Sequence, residues 1–203
     1  MRVLILGGAG FIGYHLAASL VQSGQEITIV DDLSRGPWDE ALQKLPADVR
    51  VADLTTAEWP NRRWDQVYLL AAVVGVPNVE RAPLRTVEVN TRIILRALRW
   101  LQHRPGQRLF FASTSEAYAG SNVPIPTPED VPVSIRDVTQ PRAAYAASKI
   151  LGEVALLQSA AQVTIGRFHN IYGPRMGTDH VIPNLCQQFA RRENLVRVLG
   201  PEC

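Results

Sequence analysis

A glycine-rich segment near the start of the chain, GGAGFIG at residues 7–13, limits the possible folds more than any other feature. It follows the short apolar run RVLIL (2–6), which is typical of a buried strand. It opens a stretch whose apolar residues recur at helical spacing as far as Gln22. Because glycine is entropically costly in ordered backbone, the segment predicts either a tight β–α turn or a cradle for a phosphate group.

The rest of the chain alternates apolar runs with stretches of helical period. Strands are predicted at 2–6, 26–30, 49–54, 66–74, 108–113 and 162–168, and helices at 11–22, 85–103, 142–160 and up to about 193. Strands that alternate with helices in this way, and that are apolar along most of their length, indicate a parallel sheet covered on both faces. The predicted fold class is therefore α/β, with a doubly wound parallel sheet.

Composition excludes several kinds of partner. The chain has 203 residues, of which 46% are apolar and 20% charged, and its formal net charge is only +2. We therefore expect neither a nucleic acid nor a membrane as its partner. The spacing of metal ligands is absent from the two cysteines, Cys186 and Cys203, and from the four histidines, so no metal is expected. Because two cysteines form no disulfide framework, we expect a reducing, cytoplasmic setting.

The glycine segment satisfies two dinucleotide-binding patterns at once. Gly8, Gly10 and Gly13 form GxGxxG, while Gly7, Gly10 and Gly13 form GxxGxxG. In either pattern the glycines allow a tight turn, close approach of a pyrophosphate and packing of helix on strand. The helix N-terminus then offers N–H groups and partial positive charge to the phosphate.

An acidic residue ends the second predicted strand at the position that a dinucleotide site needs. Asp31 lies eighteen residues after Gly13, with Asp32 beside it. A carboxylate there accepts hydrogen bonds from the ribose hydroxyls of NAD and repels the 2′-phosphate of NADP. The sequence therefore predicts NAD as the cofactor, and Arg35 keeps NADP as a second possibility.

A tyrosine and a lysine four residues apart, Tyr145 and Lys149 in YAASK, share one face of a predicted helix. A phenol needs about 4 kcal/mol of preference for its ionised form to reach a pKa near 7. An ammonium roughly 4 Å away provides about that much. The pair can therefore serve as a general base for oxidation of an alcohol. A packed ring beside a surface lysine is the alternative, and the upstream dinucleotide motif favours the base.

A polar run, STSEAY at 113–118, follows the fifth predicted strand. Ligands bind beyond the carboxyl ends of parallel strands, so we expect hydroxyls of this run to hold a substrate alcohol and its proton. A polar exit from the strand with no further role is the alternative.

Together these motifs make the chain similar to the extended short-chain dehydrogenase/reductases, specifically the NAD-dependent nucleotide-sugar epimerases, dehydratases and decarboxylases. The matching segments follow the family's order over nearly the whole chain: GGAGFIG, DDLSRG, ADL, LAAVVGV, EVN, ASTSEAYAG, YAASKILGE and GRFHNIYGPRM. The resemblance implies a Rossmann-type sheet that binds NAD. It also implies that Tyr145 takes the proton of a sugar 4-hydroxyl while hydride leaves C4 for NAD. The 4-keto sugar then loses CO2, loses water or is presented to the cofactor again in another orientation.

The resemblance also implies roles for individual residues. The catalytic group would be Thr114, Ser115, Glu116, Tyr145 and Lys149. Contacts to NAD would come from Gly7, Gly10, Phe11, Ile12, Gly13, Asp31, Asp32, Ser34, Arg35, Asp53, Leu54, Ala71, Ala72, Val73, Asn90, Tyr145, Lys149 and Phe168. Within this set Asp31 would hold the adenosine ribose, and Asp53 and Leu54 would flank the adenine. Contacts to the substrate would come from Thr114, Asn170 and Arg175, with Asn170 at its pyrophosphate.

The triplet Thr114-Ser115-Glu116 helps to choose among the reactions of the family. Dehydratases of the dTDP-glucose type have Thr-Asp-Glu there, so the missing aspartate argues against 4,6-dehydration. UDP-galactose 4-epimerases usually lack the glutamate. The pattern is most similar to that of UDP-glucuronate decarboxylases, and we rank decarboxylation and 4-epimerisation close together.

Family members usually continue well beyond the point where RVLGPEC ends this sequence. We therefore expect an NAD-binding domain over residues 1–166 and the start of a largely missing substrate domain over 167–203. This leaves a second function open: an NAD-binding protein without turnover, acting as a binding or regulatory module. A partner chain that completes the substrate site is a third possibility, and a fragment of a longer gene product is another.

Family members also pair through a four-helix bundle, which implies a homodimer through helices 85–103 and 142–160. The apolar residues that fit this interface fit an intramolecular core equally well: Ile94, Leu98, Leu101, Ile150, Val154 and Leu157.

Overall fold

The structure is a computed structural model that describes residues 1–120, 122–177 and 180–192. The chain divides into two compact units, Met1–His169 and a second unit that begins at Asn170. The expected segment LVRVLG (195–200) lies outside the described residues.

The first unit contains a six-stranded sheet in the order β3-β2-β1-β4-β5-β6, with every neighbouring pair parallel. The strands are β1 (Arg2–Leu6), β2 (Glu26–Asp31), β3 (Asp48–Val51), β4 (Gln66–Leu69), β5 (Arg108–Thr114) and β6 (Gln162–Phe168). The order reverses between β1 and β4, which opens a crevice beyond their carboxyl ends. The predicted doubly wound α/β fold is confirmed.

Five helices flank this sheet. They are α1 (Phe11–Gln22), α2 (Glu40–Gln43), α3 (Val76–Arg81), α4 (Pro83–Leu101) and α5 (Ala143–Leu157), and the second unit contains α6 (Val181–Ala190). The predicted bounds of α1 agree with the structure, while α4 starts two residues earlier than expected because a proline fits its first turn. The short helices α2 and α3 were not predicted from the sequence.

Two predicted strands end sooner in the structure than in the sequence pattern. β3 ends at Val51 rather than at residue 54, and β4 ends at Leu69 rather than at residue 74. The N–H groups of Leu70 and Ala71 both bond to the carbonyl of Leu6, at 2.8 and 2.9 Å. The chain therefore turns away from the sheet at the crevice, and apolar composition alone could not show this.

The two faces of the sheet carry separate apolar cores. In β1, Leu4 and Leu6 face the core formed with α4 and α5, whereas Val3 and Ile5 face the core formed with α1 and α2. The alternation follows the two-residue period of a strand, and all four side chains are fully buried.

The helices expected at a dimer interface, α4 and α5, pack on each other, and α5 packs on β5. Ile94 and Leu101 are buried in this intramolecular core, so for them the core is the correct interpretation and the dimer interface is not. Val154 and Leu157 remain 59% and 55% exposed. Gly152 permits the close packing, since a Cβ there would lie 2.5 Å from the ring of Phe111.

Candidate functional site

The glycine segment connects β1 to α1 at the crevice and is tightly packed at three of its glycines. Gly7 has a φ of +91°, and a Cβ on it would lie 2.5 Å from the backbone N of Ala71, in the loop after β4. A Cβ on Gly8 would lie 2.7 Å from the Ile29 side chain, and one on Gly13 would lie 2.3 Å from the carbonyl of Gly7. The protein's own packing thus requires these three glycines.

Gly10 differs, because a Cβ there would meet nothing closer than the Gly7 carbonyl at 3.7 Å. Gly10 is the N-cap of α1, and no side chain caps that helix. The N–H groups of the first turn of α1 therefore receive no side-chain cap, and the positive end of the helix dipole lies behind them. This arrangement fits the pyrophosphate of a dinucleotide, and the contacts of Gly10, Phe11, Ile12 and Gly13 to it remain an expectation.

Asp31, at the end of β2, is buried and bonded to the glycine segment itself. Its carboxylate accepts the N–H of Ala9 at 3.0 Å and that of Leu33 at 2.8 Å. Burial raises the pKa of Asp31, and these two hydrogen bonds oppose the rise. Asp31 therefore fixes the shape of the segment, a role beyond the ribose contact expected for it. Gly36 packs against the same part of the glycine segment, since a Cβ on Gly36 would lie 2.0 Å from the carbonyl oxygen of Ala9.

Other residues expected near the cofactor lie in the loops that follow β2, β3 and β4. Asp32 is exposed and accepts the N–H and hydroxyl of Ser34 at 2.9 and 2.6 Å. The guanidinium of Arg35 lies beside Gly75, because a Cβ built on Gly75 would be 3.4 Å from a nitrogen of that guanidinium. Asp53 accepts the N–H of Thr55, a bond that lowers the pKa of Asp53.

Leu54 is buried in the apolar core, whereas Ala71, Ala72 and Val73 are half-buried at the end of β4. Phe168, at the end of β6, is half-buried with its ring 5.9 Å from that of Phe110. Asn170 and Arg175 lie in the second unit, where Arg175 has a φ of +67°. Their contacts to a substrate remain an expectation.

Asn90 holds two parts of the site together. It is buried in α4, its amide oxygen accepts the N–H of Val73 at 2.7 Å, and its amide N–H groups reach the Val73 carbonyl and the Ser148 hydroxyl. The Ser148 hydroxyl in turn donates to the carbonyl of Tyr145 at 2.8 Å. In this structure Asn90 thus fixes the loop after β4 against the helix that carries Tyr145, and its amide is used for that purpose.

The expected catalytic group is assembled where β5 meets α5. The hydroxyl of Thr114, at the end of β5, lies close enough to the phenol of Tyr145 to lower the pKa of that phenol. Lys149 lies one helical turn further on, is 3% exposed and donates to the carbonyl of Ala112 at 2.7 Å. The structure therefore brings Thr114, Tyr145 and Lys149 to one place.

The electrostatics of the pair differ from the expectation. Burial and the nearby Glu116 carboxylate raise the pKa of Tyr145 to about 12, and burial lowers the pKa of Lys149 to about 7. The ammonium lies 5.7 Å from the centre of the Tyr145 ring and is bonded elsewhere. In the protein alone Lys149 therefore does not lower the pKa of the phenol to near 7. The lowering of the Tyr145 pKa by Lys149 remains a prediction for the complex with cofactor.

Glu116 and Ser115 lie in a single 3-10 turn, Ser115–Tyr118, directly after β5. Thr114 caps this turn by accepting the N–H of Glu116 at 3.2 Å. The Glu116 carboxylate pairs with Arg142 at 2.8 Å, just before α5, and lies close enough to Tyr145 to affect its pKa. A carboxylate is thus present beside the candidate base.

A buried network next to this group was missed in the sequence. Glu153 of α5 is 4% exposed, and its carboxylate accepts hydrogen bonds from Ser113 and from Arg167 of β6, the latter at 2.7 to 3.2 Å. Arg167 also donates to the Tyr118 hydroxyl at 2.8 Å. The sequence signal was Arg167, a charged residue inside the strand QVTIGRF, because a buried charge requires a partner.

Two further properties concern the described ranges alone. No group of three or more His, Cys, Asp or Glu side chains there could hold a metal ion. No helix in those ranges is long and apolar enough to cross a membrane.

A sheet that reverses its strand order beside an uncapped, glycine-lined helix N-terminus defines the class of dinucleotide-binding proteins. The Thr–Tyr–Lys group at the same edge narrows that class to the short-chain dehydrogenase/reductase kind. The chain belongs to the NAD dependent epimerase/dehydratase family, whose model matches residues 3–201. NAD is accordingly its cofactor, as predicted from the glycine segment and Asp31.

Relatives within the family catalyse different reactions. The chain is 38% identical to the UDP-N-acetyl-alpha-D-glucosaminuronate decarboxylase of Bacillus cytotoxicus, in a match that covers 86% of this chain and 56% of the relative. Among solved structures it is similar to TunA, an NAD-dependent NDP-hexosamine 5,6-dehydratase involved in tunicamycin biosynthesis. That match has a TM-score of 0.80 and 33% identity, and covers 94% of this chain and 62% of TunA.

It is also similar to a UDP-galactose 4-epimerase, with a TM-score of 0.79 and 30% identity over 97% of this chain and 65% of that one. The family model and these relatives support the modification of nucleotide sugars. The chain spans about half the length of the curated relatives, 56% of the Bacillus enzyme for example.

Proposed function

We propose that the chain carries the catalytic half of an enzyme that oxidises a nucleotide sugar at C4. The observation that carries this proposal is the position of Thr114 beside Tyr145, close enough to lower the pKa of the phenol, with the buried Lys149 one helical turn further on. The glycine segment on the opposite side of the crevice supports it, because a cofactor bound there extends toward β5.

In the proposed reaction the hydroxyl of Thr114 orients the sugar 4-hydroxyl toward Tyr145, whose ionised form accepts the proton. Lys149 provides positive charge one turn away, and this charge favours ionised Tyr145 in the assembled complex. NAD, when bound, supplies the acceptor for a hydride from C4. Contacts from Asn170 and Arg175 to the substrate diphosphate are part of the same proposal.

For the step that follows oxidation, we propose decarboxylation first and 4-epimerisation second. Oxidation at C4 of a uronic acid gives a β-keto acid, which loses CO2 readily. Glu116 beside Tyr145 and the similarity to a uronate decarboxylase favour this lyase reaction. The similarity to a 4-epimerase favours the isomerase reaction.

The second candidate function is an NAD-binding module without turnover. It is favoured by one observation, that the chain spans only 56% of the length of its Bacillus relative. Such a module would bind NAD and bring it to a partner, or respond to it, without converting a sugar.

A substrate panel distinguishes these functions. Purified protein with NAD is incubated with UDP-glucuronate and with other UDP-, GDP-, CDP- and dTDP-sugars, and reduced cofactor and products are measured. Release of CO2 identifies the decarboxylase, and an epimeric sugar without CO2 identifies the epimerase. A folded protein that binds NAD and yields neither product nor reduced cofactor supports the binding module and contradicts the enzyme.

Replacement of the candidate base tests the assignment of Tyr145. Tyr145→Phe removes only the phenol oxygen, so we expect turnover to fall by at least about 10²-fold with NAD affinity nearly unchanged. Tyr172→Phe makes the same chemical change at an exposed tyrosine and should leave turnover intact. Turnover retained in Tyr145→Phe would remove Tyr145 from its role.

We further propose a homodimer through α4 and α5, in a reducing cytoplasm where the exposed Cys186 stays free. Although Ile94 and Leu101 are buried within one chain, five apolar side chains of these helices are at least 41% exposed: Leu84, Leu95, Leu151, Val154 and Leu157. Sedimentation should give the mass of two chains at micromolar concentration, and Val154→Glu with Leu157→Glu should give one.

A further inference from the structure

The amino-terminal edge of the sheet, opposite the crevice, carries an open cavity of about 930 Å³. Four arginines line it, and we call this cavity the arginine groove: Arg62, Arg63, Arg104 and Arg108. None of the four belongs to the NAD site or to the proposed catalytic group. A volume of this size is within the range of small-molecule sites.

Positive charge in the groove is only partly balanced. Arg62 pairs with Glu26 at 2.8 Å. The Asp65 carboxylate accepts the N–H of Arg2 at 2.7 Å, a bond that lowers the pKa of Asp65. Arg63 and Arg108 are exposed, and neither guanidinium forms a hydrogen bond or ion pair with any residue that the structure describes, although the charge of Arg63 helps to lower the pKa of Asp65. Guanidinium groups repel one another when clustered, so such a cluster favours a bound anion.

Two of the four guanidinium groups are held in place before any ligand binds. That of Arg62 lies over the ring of Trp64, 4.2 Å from its centre, and that of Arg104 lies over Trp100 at 3.9 Å. The Nε of Arg62 is moreover a buried donor for which the described residues offer no acceptor. Donors that are oriented and incompletely satisfied lose little entropy when an anion arrives.

We propose that the arginine groove binds a small anion with two or more phosphate groups. Guanidinium forks match phosphate oxygens in pairs, which distinguishes phosphate from a single carboxylate or chloride. A long nucleic acid fits less well, because the whole chain has a net charge of only +2 and the groove is local. This inference goes beyond the proposed function and does not depend on it.

The groove is separate from the NAD site. Arg2 begins β1 and bonds to Asp65 of the groove, while Gly7 follows the end of β1 at the crevice. The five residues of β1 span roughly 17 Å at about 3.3 Å each. One diphosphate cannot therefore contact both edges, and the two sites can be filled independently.

Calorimetric titration with inorganic pyrophosphate tests the proposal, using the whole chain with and without saturating NAD. We expect one molecule to bind whether or not NAD is present, and to bind more weakly as salt is raised. In the double variant Arg63→Ala with Arg108→Ala, affinity should fall by roughly tenfold or more. The control, Arg85→Ala with Arg99→Ala, removes the same charge from exposed positions of α4 and should change affinity less than about twofold.

Three results would overturn the proposal. Absence of pyrophosphate binding is one, and binding that saturating NAD abolishes is another, because the anion then occupies the cofactor site. An equal loss of affinity in both double variants is the third, since net charge alone would explain it. Because all four substituted arginines are exposed, the variants should fold, and unchanged melting temperatures verify this.

Discussion

On the β1 side of the crevice, the groups that would contact a cofactor are backbone atoms of the glycine segment, beside glycines that have no side chain. On the β5 side they are buried polar side chains, held in place by other buried polar side chains. Gly10 and Gly13 represent the first kind, and Lys149 and the Glu153–Arg167 pair represent the second. We therefore expect the largest loss of folding free energy when a buried partner is removed on the polar side, and on the glycine side a loss that depends on how tightly each glycine is packed.

The Glu153–Arg167 pair should give the largest effect. Arg167→Met leaves the Glu153 carboxylate, whose side chain is 6% exposed, without its cation, and the cost should be about 3–5 kcal/mol of unfolding free energy. Denaturant titration measures it. Arg92→Met is the matched control, because Arg92 pairs with an exposed Glu88 at 2.6 Å and should cost less than about 1 kcal/mol. Equal losses in the two variants would show that burial does not distinguish the pairs.

Lys149 should make stability depend on pH. Burial lowers its pKa to about 7, against 10.5 without that burial, so between these values the unfolded chain binds more protons. Unfolding free energy should then rise with pH by up to about 1.4 kcal/mol per unit between these two values. The stability gained in this way is fully present above pH 10.5 and is lost once the pH has fallen through 7. Tyr145 does not interfere below pH 10, because its pKa is raised from 10 to about 12.

Denaturant titrations between pH 7 and 9 test this dependence with a control that the chain provides. Lys149→Met should remove most of the slope, whereas Lys44→Met, at an exposed lysine, should leave it unchanged. A slope that survives in Lys149→Met would mean that Lys149 keeps its charge while buried, with the Ala112 carbonyl as its partner.

The glycine side could be predicted from the sequence almost completely, because its signals are local. A strand, a glycine segment and a helix are consecutive, and the bounds of α1 follow from apolar period and the glycine that precedes it. Thr114, Tyr145 and Lys149 were also found, since the positions of a strand end and of one helix face are encoded nearby. Their pKa values were not, because burial and Glu116 raise the pKa of Tyr145 and burial lowers that of Lys149.

The polar side could be predicted only in part, because its partners are distant in sequence. Asn90 contacts Ser148 across 58 positions, and Ser113 contacts Glu153 across 40. No periodicity links such pairs. Each residue alone suggests only a polar group in an apolar segment, and the fold must be known before its partner can be named. The arginine groove was missed for the same reason, since its arginines come from the loop before β4 and from the segment that leads into β5.

Gly13→Ala tests the packed part of the glycine side. The added Cβ would lie 2.3 Å from the Gly7 carbonyl, so α1 must shift away from the loop. We expect a loss of about 1–3 kcal/mol of unfolding free energy, together with a loss of NAD binding. Gly24→Ala provides a comparison at a glycine with open space around it but a φ of +73°, where NAD affinity should be unchanged. A Gly13→Ala protein that binds NAD normally would contradict the packing argument.

Gly10→Ala should have the smallest effect on folding. It should distinguish a loss of NAD affinity from a loss of packing within the protein. The new Cβ meets only the Gly7 carbonyl, at 3.7 Å, and the φ of −66° suits alanine, so unfolding free energy should change by no more than about 1 kcal/mol. The same methyl group enters the space assigned to the pyrophosphate, and NAD affinity should fall by roughly tenfold or more. Calorimetry and thermal melts on one preparation measure both quantities. If NAD binds Gly10→Ala as tightly as the parent chain, the space beside Gly10 does not belong to the cofactor, and the phosphate must lie elsewhere along the first turn of α1.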